Sequence, residues 1–103
     1  MKQFTQQQLK YLSENFQQGQ RAMQSGSFNL AEKSFLDVLK IGPDIIEAQN
    51  ALAFVYAAGK QHAKATAQFK KLLSANPNHA HTHHNLANSL QEQQLYEEAI
   101  QHY

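Results

Sequence analysis

Residues 31–43, AEKSFLDVLKIGP, decide the fold, because residues 65–77, ATAQFKKLLSANP, repeat their pattern. In each stretch an alanine is followed four residues later by a phenylalanine, and a proline closes the stretch. The alanine-to-aromatic spacing returns a third time at Ala99 and Tyr103. Successive copies lie 34 residues apart, and three columns that agree at one period indicate a chain built from repeats.

The segments around these columns have the spacing of amphipathic helices. Thr5 and Gln8 have the residue types of a capping box, so a first helix should begin near Gln6. Apolar residues then recur at spacings of three and four until Gly26, which should end that helix. The N-terminal part of the chain is therefore predicted to be helical independently of the repeat.

Proline marks where the later helices should stop. Gly42-Pro43 and Asn76-Pro77 each interrupt the apolar pattern, because proline lacks an amide donor and restricts the residue before it. Asp44 is the expected cap of the third helix. The third copy of the pattern predicts a fifth helix and then a sixth, which is cut short at Tyr103. The fold class is therefore expected to be all-α.

This arrangement resembles the tetratricopeptide repeat, a helix-turn-helix unit of 34 residues. The resemblance implies a right-handed superhelical stack of antiparallel helix pairs. Its repeats would cover residues 12–45 and 46–79, with an incomplete third repeat over residues 80–103. We expect one domain over residues 1–103, the N-terminal part of a longer protein. The chain departs from the family where a large aromatic should open each repeat, since Asn15, Gln49 and His83 stand there.

Small residues should lie where the two helices of a pair approach each other most closely. Two antiparallel helices that pack about 8–10 Å apart leave no space for a long side chain at the contact. The positions predicted to meet this need are Gly19, Ala53 and Ala87 in the first helices, and Ala31, Ala65 and Ala99 in the second helices.

Composition argues against several function classes. Nine Lys and Arg against eight Asp and Glu give a formal charge of +1, which disfavours nucleic acid and anionic membrane surfaces as partners. No cysteine is present, so disulfides and thiolate chemistry are excluded. No apolar run approaches the roughly 18 residues of a membrane span, and no phosphate-binding or nucleophile motif occurs. We therefore predict a cytoplasmic protein that is not an enzyme and needs no cofactor.

The resemblance implies a binding surface, because the first helix of each pair lines the concave face of such a stack. The family's groove positions fall on Phe16, Gln20, Met23, Asn50, Phe54, Ala57, His81, His84, Asn88 and Gln91. Amides mixed with a few apolar anchors suit a peptide or protein partner laid in a groove. The alternative is that these residues form an ordinary solvated helix surface.

Some members of the family hold a C-terminal carboxylate with a clamp of Lys, Arg and Asn. The matching positions here are occupied by Phe16, Gln20, Ala51, His81 and Asn85. Asn85 alone has a suitable side chain. Recognition of a partner's C-terminal carboxylate in this manner is therefore not expected.

Four of the six histidines lie in the run from His79 to His84. In a helix, His79 and His83 would share one face and His81 and His84 another, and neutral imidazole is a common metal ligand. A closed zinc site needs four ligands, however, and each face offers two. A His-rich metal-binding protein is thus an alternative function, and no metal site is predicted.

Two further expectations concern a downstream domain and self-association. Bacterial proteins with this resemblance often join such repeats to a transferase that acts on sugars or sulfate, so the chain could be the positioning arm of a downstream enzyme. The incomplete third repeat would also leave apolar surface uncovered, and we expect a weak homodimer through it.

Overall fold

The structure is a computed structural model that describes residues 3–101, with side chains described for residues 3–94. Its helices are α1 (Gln6–Gln24), α2 (Phe28–Ile41), α3 (Ile46–Ala58), α4 (His62–Ala75) and α5 (Ala80–Gln101). Each helix contacts the next one along the chain, and α3 also contacts α5. The all-α stack of helix pairs is thus confirmed, with α1–α2 as the first hairpin and α3–α4 as the second.

The two hairpins turn in the same way. After α1, the amide of Ser27 donates to the carbonyl of Ala22 at 2.8 Å, and after α3 the amide of Gln61 donates to the carbonyl of Tyr56 at 2.8 Å. This hydrogen bond needs a left-handed residue just before the donor. Gly26 has φ +77° and Lys60, which lies 34 residues later, has φ +65°.

The predicted start of the first helix is confirmed. The amide of Gln8 donates to Oγ1 of Thr5 at 3.1 Å, and the amide of Thr5 donates to Oε1 of Gln8 at 2.9 Å. The predicted cap at Asp44 is wrong, because α3 begins one residue later with Ile45 as its cap. Ile45 takes that position since its side chain packs on the cluster that includes Leu12.

Buried residues of both hairpins form the core. Ala31, Ala65 and Phe69 are 0% exposed, and Phe35 is 1% exposed. Ala53, Ala65 and Phe69 form one cluster, which confirms the close approach expected of α3 and α4. Along the described residues, no helix combines the length and apolarity that crossing a membrane requires.

The third repeat differs from its prediction. α5 runs without a break from Ala80 to Gln101, so the turn and the separate sixth helix expected before Ala99 are absent within residues 80–101. The sequence between Leu90 and Ala99 contains neither glycine nor proline to stop a helix. Ala87, expected at a close helix contact, is exposed. The predicted helix end at Tyr103 and the side chain of Ala99 lie outside the described part.

Candidate functional site

A cavity of about 800 Å³ opens between α1, α3 and the beginning of α5. Its walls are Phe16, Gln20, Met23, Gln24, Phe35, Glu47, Asn50, Ala51, Phe54, His79, His81 and Asn85. All of them except Phe35 and His79 come from the first helices of the repeats. We call this cavity, with these residues, the groove.

Helical periodicity explains why these side chains line one surface. Phe16, Gln20 and Met23 follow one another at spacings of four and three along α1, so they lie on one face. Asn50 and Phe54 on α3, and His81 and Asn85 on α5, repeat the four-residue spacing. Three helices therefore present parallel rows of side chains to the same space.

Aromatic rings form the apolar part of the groove. The rings of Phe16 and Phe35 lie with centroids 5.4 Å apart and planes inclined by 60°, a tilted contact that suits aromatic pairs. Phe35 is buried, and it supports Phe16 from below. Phe54 of α3, by contrast, is 49% exposed. The groove thus offers both an exposed phenyl ring and one that is held against a buried ring.

A buried polar network joins α3 to α5 at the groove's inner end. Oδ1 of Asn50 accepts from Oγ1 of Thr82 at 3.4 Å and from Nδ2 of Asn85 at 3.3 Å. Thr82 is fully buried and Asn50 is 8% exposed. Because both acceptor contacts of Asn50 go to α5, its carbonyl oxygen serves the fold, and its amide nitrogen is the group suited to a ligand.

His79 begins α5 as a cap. Its Nδ1 accepts from the amide of Thr82 at 3.3 Å and lies 2.6 Å from Oγ1 of that residue. His83 is engaged too, since its Nε2 lies 2.6 Å from the carbonyl of Pro77 and donates to it. These two histidines therefore hold the turn before α5.

Charge is sparse along the groove. Among its lining residues as described, Glu47 is the single Asp or Glu, and no Lys or Arg is present. The remaining polar groups are amides and imidazoles. The surface is consequently suited to a ligand that is mostly neutral, with a positive group accommodated beside Glu47.

Six of the predicted groove residues line the groove: Phe16, Gln20, Met23, Asn50, Phe54 and His81. The other four lie elsewhere. Ala57 packs on the cluster of Ala53, Ala65 and Phe69. His84 and Asn88 are exposed and bond each other on α5, with Nε2 and Nδ2 3.2 Å apart, and Gln91 is exposed further along.

Several lining residues were not among the predicted set: Gln24, Phe35, Glu47, Ala51, His79 and Asn85. Gln24 lies four residues after Gln20, and Glu47 lies three residues before Asn50, so extending each row by one helical turn would have found them. Phe35 belongs to the buried core, and it also lines the groove next to Phe16. No sequence signal marks a residue that serves both surfaces.

The histidine run does not form a metal site in the described part of the chain. No group of three or more His, Cys, Asp or Glu side chains there could hold a metal ion. The ring nitrogens of His79 and His83 named above are already engaged in hydrogen bonds at the start of α5.

Comparison with known families identifies the fold family. One tetratricopeptide repeat model matches residues 46–79 and a second matches residues 68–101, so that together they span more than half of the chain. The chain belongs to the tetratricopeptide repeat family. Tetratricopeptide repeats are protein-interaction scaffolds and are typically non-catalytic, and this chain is built from them.

A similar solved structure supports the same architecture. A mutant of the O-GlcNAc transferase from Thermobaculum terrenum superposes with a TM-score of 0.74 at 24% sequence identity. The match covers 84% of this chain and 17% of the transferase chain. At this identity the likeness is one of fold, and it covers a small part of that enzyme. A comparison with curated proteins finds none that matches.

Proposed function

We propose that this tetratricopeptide repeat protein binds a segment of a partner protein in the groove and has no catalysis of its own. The observation that carries the proposal is the pairing of an exposed apolar wall at Phe54 with a line of amide side chains. An apolar anchor gives affinity, and amides fix the direction of a bound backbone.

The lining chemistry supports a particular kind of segment. An apolar side chain of the partner would lie between Phe16 and Phe54, and its backbone would pair with the amides of Gln20 and Asn85. A Lys or Arg of the partner would lie beside Glu47. We expect micromolar affinity for an isolated peptide, because ordering an extended chain offsets much of the contact energy.

Peptide selection followed by titration tests this proposal. A random peptide library is selected on the protein, and the strongest peptide is labelled and titrated by fluorescence anisotropy. Phe54→Ala should weaken binding at least tenfold with little change in stability, since the ring is 49% exposed. Leu36→Ala is the matched control, because Leu36 is 38% exposed on α2 and lies outside the groove.

Two results would contradict the proposal. One is that the selection yields no peptide that binds the protein. The other is that Phe54→Ala and Leu36→Ala weaken binding equally, which would place the bound peptide outside the groove. Enrichment of Lys or Arg in the selected peptides, lost when Glu47→Gln is used for the selection, would support the assigned position of the positive group.

The proposal does not depend on the transferase likeness. A positioning arm of a downstream enzyme would use the same groove, and the shared fold is compatible with both roles. The proposed partner is therefore defined by the groove alone. Absence of nucleic acid and membrane partners, supported by the formal charge of +1, and a cytoplasmic location remain parts of the proposal.

Self-association through the third repeat is a separate part of the proposed function. It is supported by Leu90, which is 44% exposed on α5 next to the exposed Ala87. A weak homodimer would cover this surface without occupying the groove.

A further inference from the structure

One face of α5 lacks the helix that covers its counterparts. Ala87 occupies the column of Gly19 and Ala53, both of which are buried, yet Ala87 is exposed. Leu90 occupies the column of Ala22, which is 3% exposed and packs with Ala31 of α2. In the first hairpin these columns therefore face the second helix, whereas on α5 they face solvent.

The segment that should cover this face is present in the chain but lies far from it. Ala99 follows Ala87 by the same spacing that separates Gly19 from Ala31 and Ala53 from Ala65. In the two hairpins a turn brings those residues together. Along the continuous α5 the twelve-residue separation amounts to about 18 Å at 1.5 Å per residue.

The missing turn has a local cause. The hairpin turns read Ser25-Gly26-Ser27 and Gly59-Lys60-Gln61, and each has its middle residue in the left-handed conformation. The corresponding residues of the third repeat are Gln93-Gln94-Leu95, with no glycine. Continuing the helix avoids placing Gln94 at positive φ, which costs a side-chain-bearing residue about 1–2 kcal/mol.

We propose that two copies of the chain exchange residues 95–101. In this arrangement the C-terminal part of α5 from one copy lies on the exposed face around Ala87 and Leu90 of the other, as α2 lies on α1. The occupant is a second copy because the covering segment carries the alanine column that both hairpins use at this contact. The exchange is reciprocal, as a two-fold dimer requires.

This inference rests on the proposed self-association and is independent of peptide binding in the groove. It specifies which segment of the chain makes the contact and which residues meet there. A dimer formed by simple contact between two exposed faces would not bring position 87 of one copy against position 99 of the other.

Cysteine cross-linking tests the exchange, and the chain has no cysteine of its own to interfere. The variant Ala87→Cys with Ala99→Cys is oxidised and examined by denaturing electrophoresis without reductant. We expect a band at twice the 11.7 kDa mass of the chain. Ala53→Cys with Ala65→Cys is the matched control, since both residues are buried in one cluster of a single copy. It should cross-link within one chain.

Restoring the turn gives a second test. The double change Gln93→Ser and Gln94→Gly reproduces the first hairpin turn and should let residues 95–101 fold back on their own copy. We expect the dimer seen by sedimentation equilibrium to become a monomer, and the 87–99 disulfide to form within one chain. Gln94→Ala keeps the helix continuous and should leave the dimer intact.

The outcomes separate the two proposals. A monomer at all concentrations up to the millimolar range would overturn both the exchange and self-association. A dimer whose 87–99 pair forms no intermolecular disulfide, while the 53–65 control oxidises fully, would overturn the exchange and leave self-association standing. An intramolecular 87–99 disulfide in the variant that keeps Gln93 and Gln94 would also overturn the exchange.

Discussion

At the residue scale, Gly19 is a position where α1 packs closely against α2. A Cβ added there would lie 2.5, 2.6 and 2.9 Å from three ring carbons of Phe35. Phe35 is 1% exposed and also contacts Phe16, so its ring has little space to move. The glycine is thus required by close approach, and α1 could not lie as near to α2 with a larger residue.

We therefore expect Gly19→Ala to lower the free energy of unfolding by about 1–3 kcal/mol, as overpacking of a core does. The measurement is urea unfolding followed by circular dichroism. Gly59→Ala is the control, because a Cβ there meets its nearest atom at 3.4 Å. That variant should be neutral or up to about 1 kcal/mol more stable. Equal destabilisation by both changes would count against the packing explanation.

Tyr56 carries the second prediction at this scale. Burial, and secondarily the carboxylate of Glu32, raise the pKa of its phenol above the ordinary value of 10.0. The unfolded chain ionises Tyr56 first as the pH rises. The stability that this difference contributes is therefore complete below about pH 10 and is lost as the pH rises through the folded-state pKa.

Glu32→Gln should lower the pKa of Tyr56, because one of its two causes is removed. Tyrosine-ring NMR across the alkaline range measures the midpoint for this side chain, and Tyr56→Phe assigns the signal. An unchanged or higher midpoint in Glu32→Gln would show that the carboxylate does not act on the phenol.

At the element scale, Gly26 and Lys60 occupy the same left-handed position in the two hairpin turns, so the cost of a side chain there can be compared. Gly26 has no side chain to strain at φ +77°, and a Cβ there would have open space around it. Lys60 accepts φ +65° with a full side chain. The left-handed region disfavours L-residues by about 1–2 kcal/mol, so Lys60 reduces the stability of its own turn.

Lys60→Gly should raise the free energy of unfolding by up to about 1 kcal/mol, since glycine's greater freedom in the unfolded chain offsets part of the relief. Gly26→Ala should lower it by about 1–2 kcal/mol with no contact changed. Chemical denaturation of both variants measures the two changes in the free energy of unfolding. Lys60→Gly would contradict the explanation if it proved less stable than the parent chain.

How far the sequence predicts each element depends on how strong its local signals are. Gln6 and Gly26 were placed well, because a capping box and a glycine act over a few residues. Asp44 was misplaced because the cap position falls on Ile45, whose side chain packs on the core cluster that includes Leu12. α5 was misjudged because residues 93–95 lack the glycine that the first hairpin turn uses, so the helix continues where the repeat pattern predicted a turn.

In the groove, too, some features follow from local sequence signals and others do not. Its first-helix rows were predictable, since Phe16, Gln20 and Phe54 follow from the repeat and from helical spacing. The hydrogen bonds of Asn50 were not predictable, because its side-chain carbonyl accepts from Thr82 and Asn85, more than thirty residues away. Periodicity assigns a residue to a face, whereas the partner that a polar atom finds depends on the packing of two distant helices.

At the scale of the whole molecule, the chain is an elongated stack that measures 54 × 31 × 17 Å. Helices contact their neighbours in order, and the contact of α3 with α5 joins helices that are not consecutive. In such a stack, stability is close to a sum of local units and of the interfaces between them. The network around Asn50 belongs to the interface between the second hairpin and α5.

Asn50→Ala should therefore loosen one end of the molecule more than the other. The change removes the acceptor of Thr82 and Asn85, and leaving buried polar groups unpaired costs about 1–3 kcal/mol. Hydrogen exchange read by mass spectrometry should show faster exchange in peptides from α5, with α1–α2 peptides unchanged. Gln49→Ala, a neighbouring change outside the network, is the control and should leave α5 exchange as it was.

An equal acceleration in all helices would mean that the chain opens as one cooperative unit and that the nearest-neighbour description fails for it. A local effect has a consequence for binding. Asn50, His79 and Asn85 all line the groove, so opening the α5 end would remove one wall while Phe16 and Phe54 stay in place. Peptide affinity in Asn50→Ala should then fall by more than the loss of one side-chain contact explains, because the fraction of molecules with a complete groove falls as well.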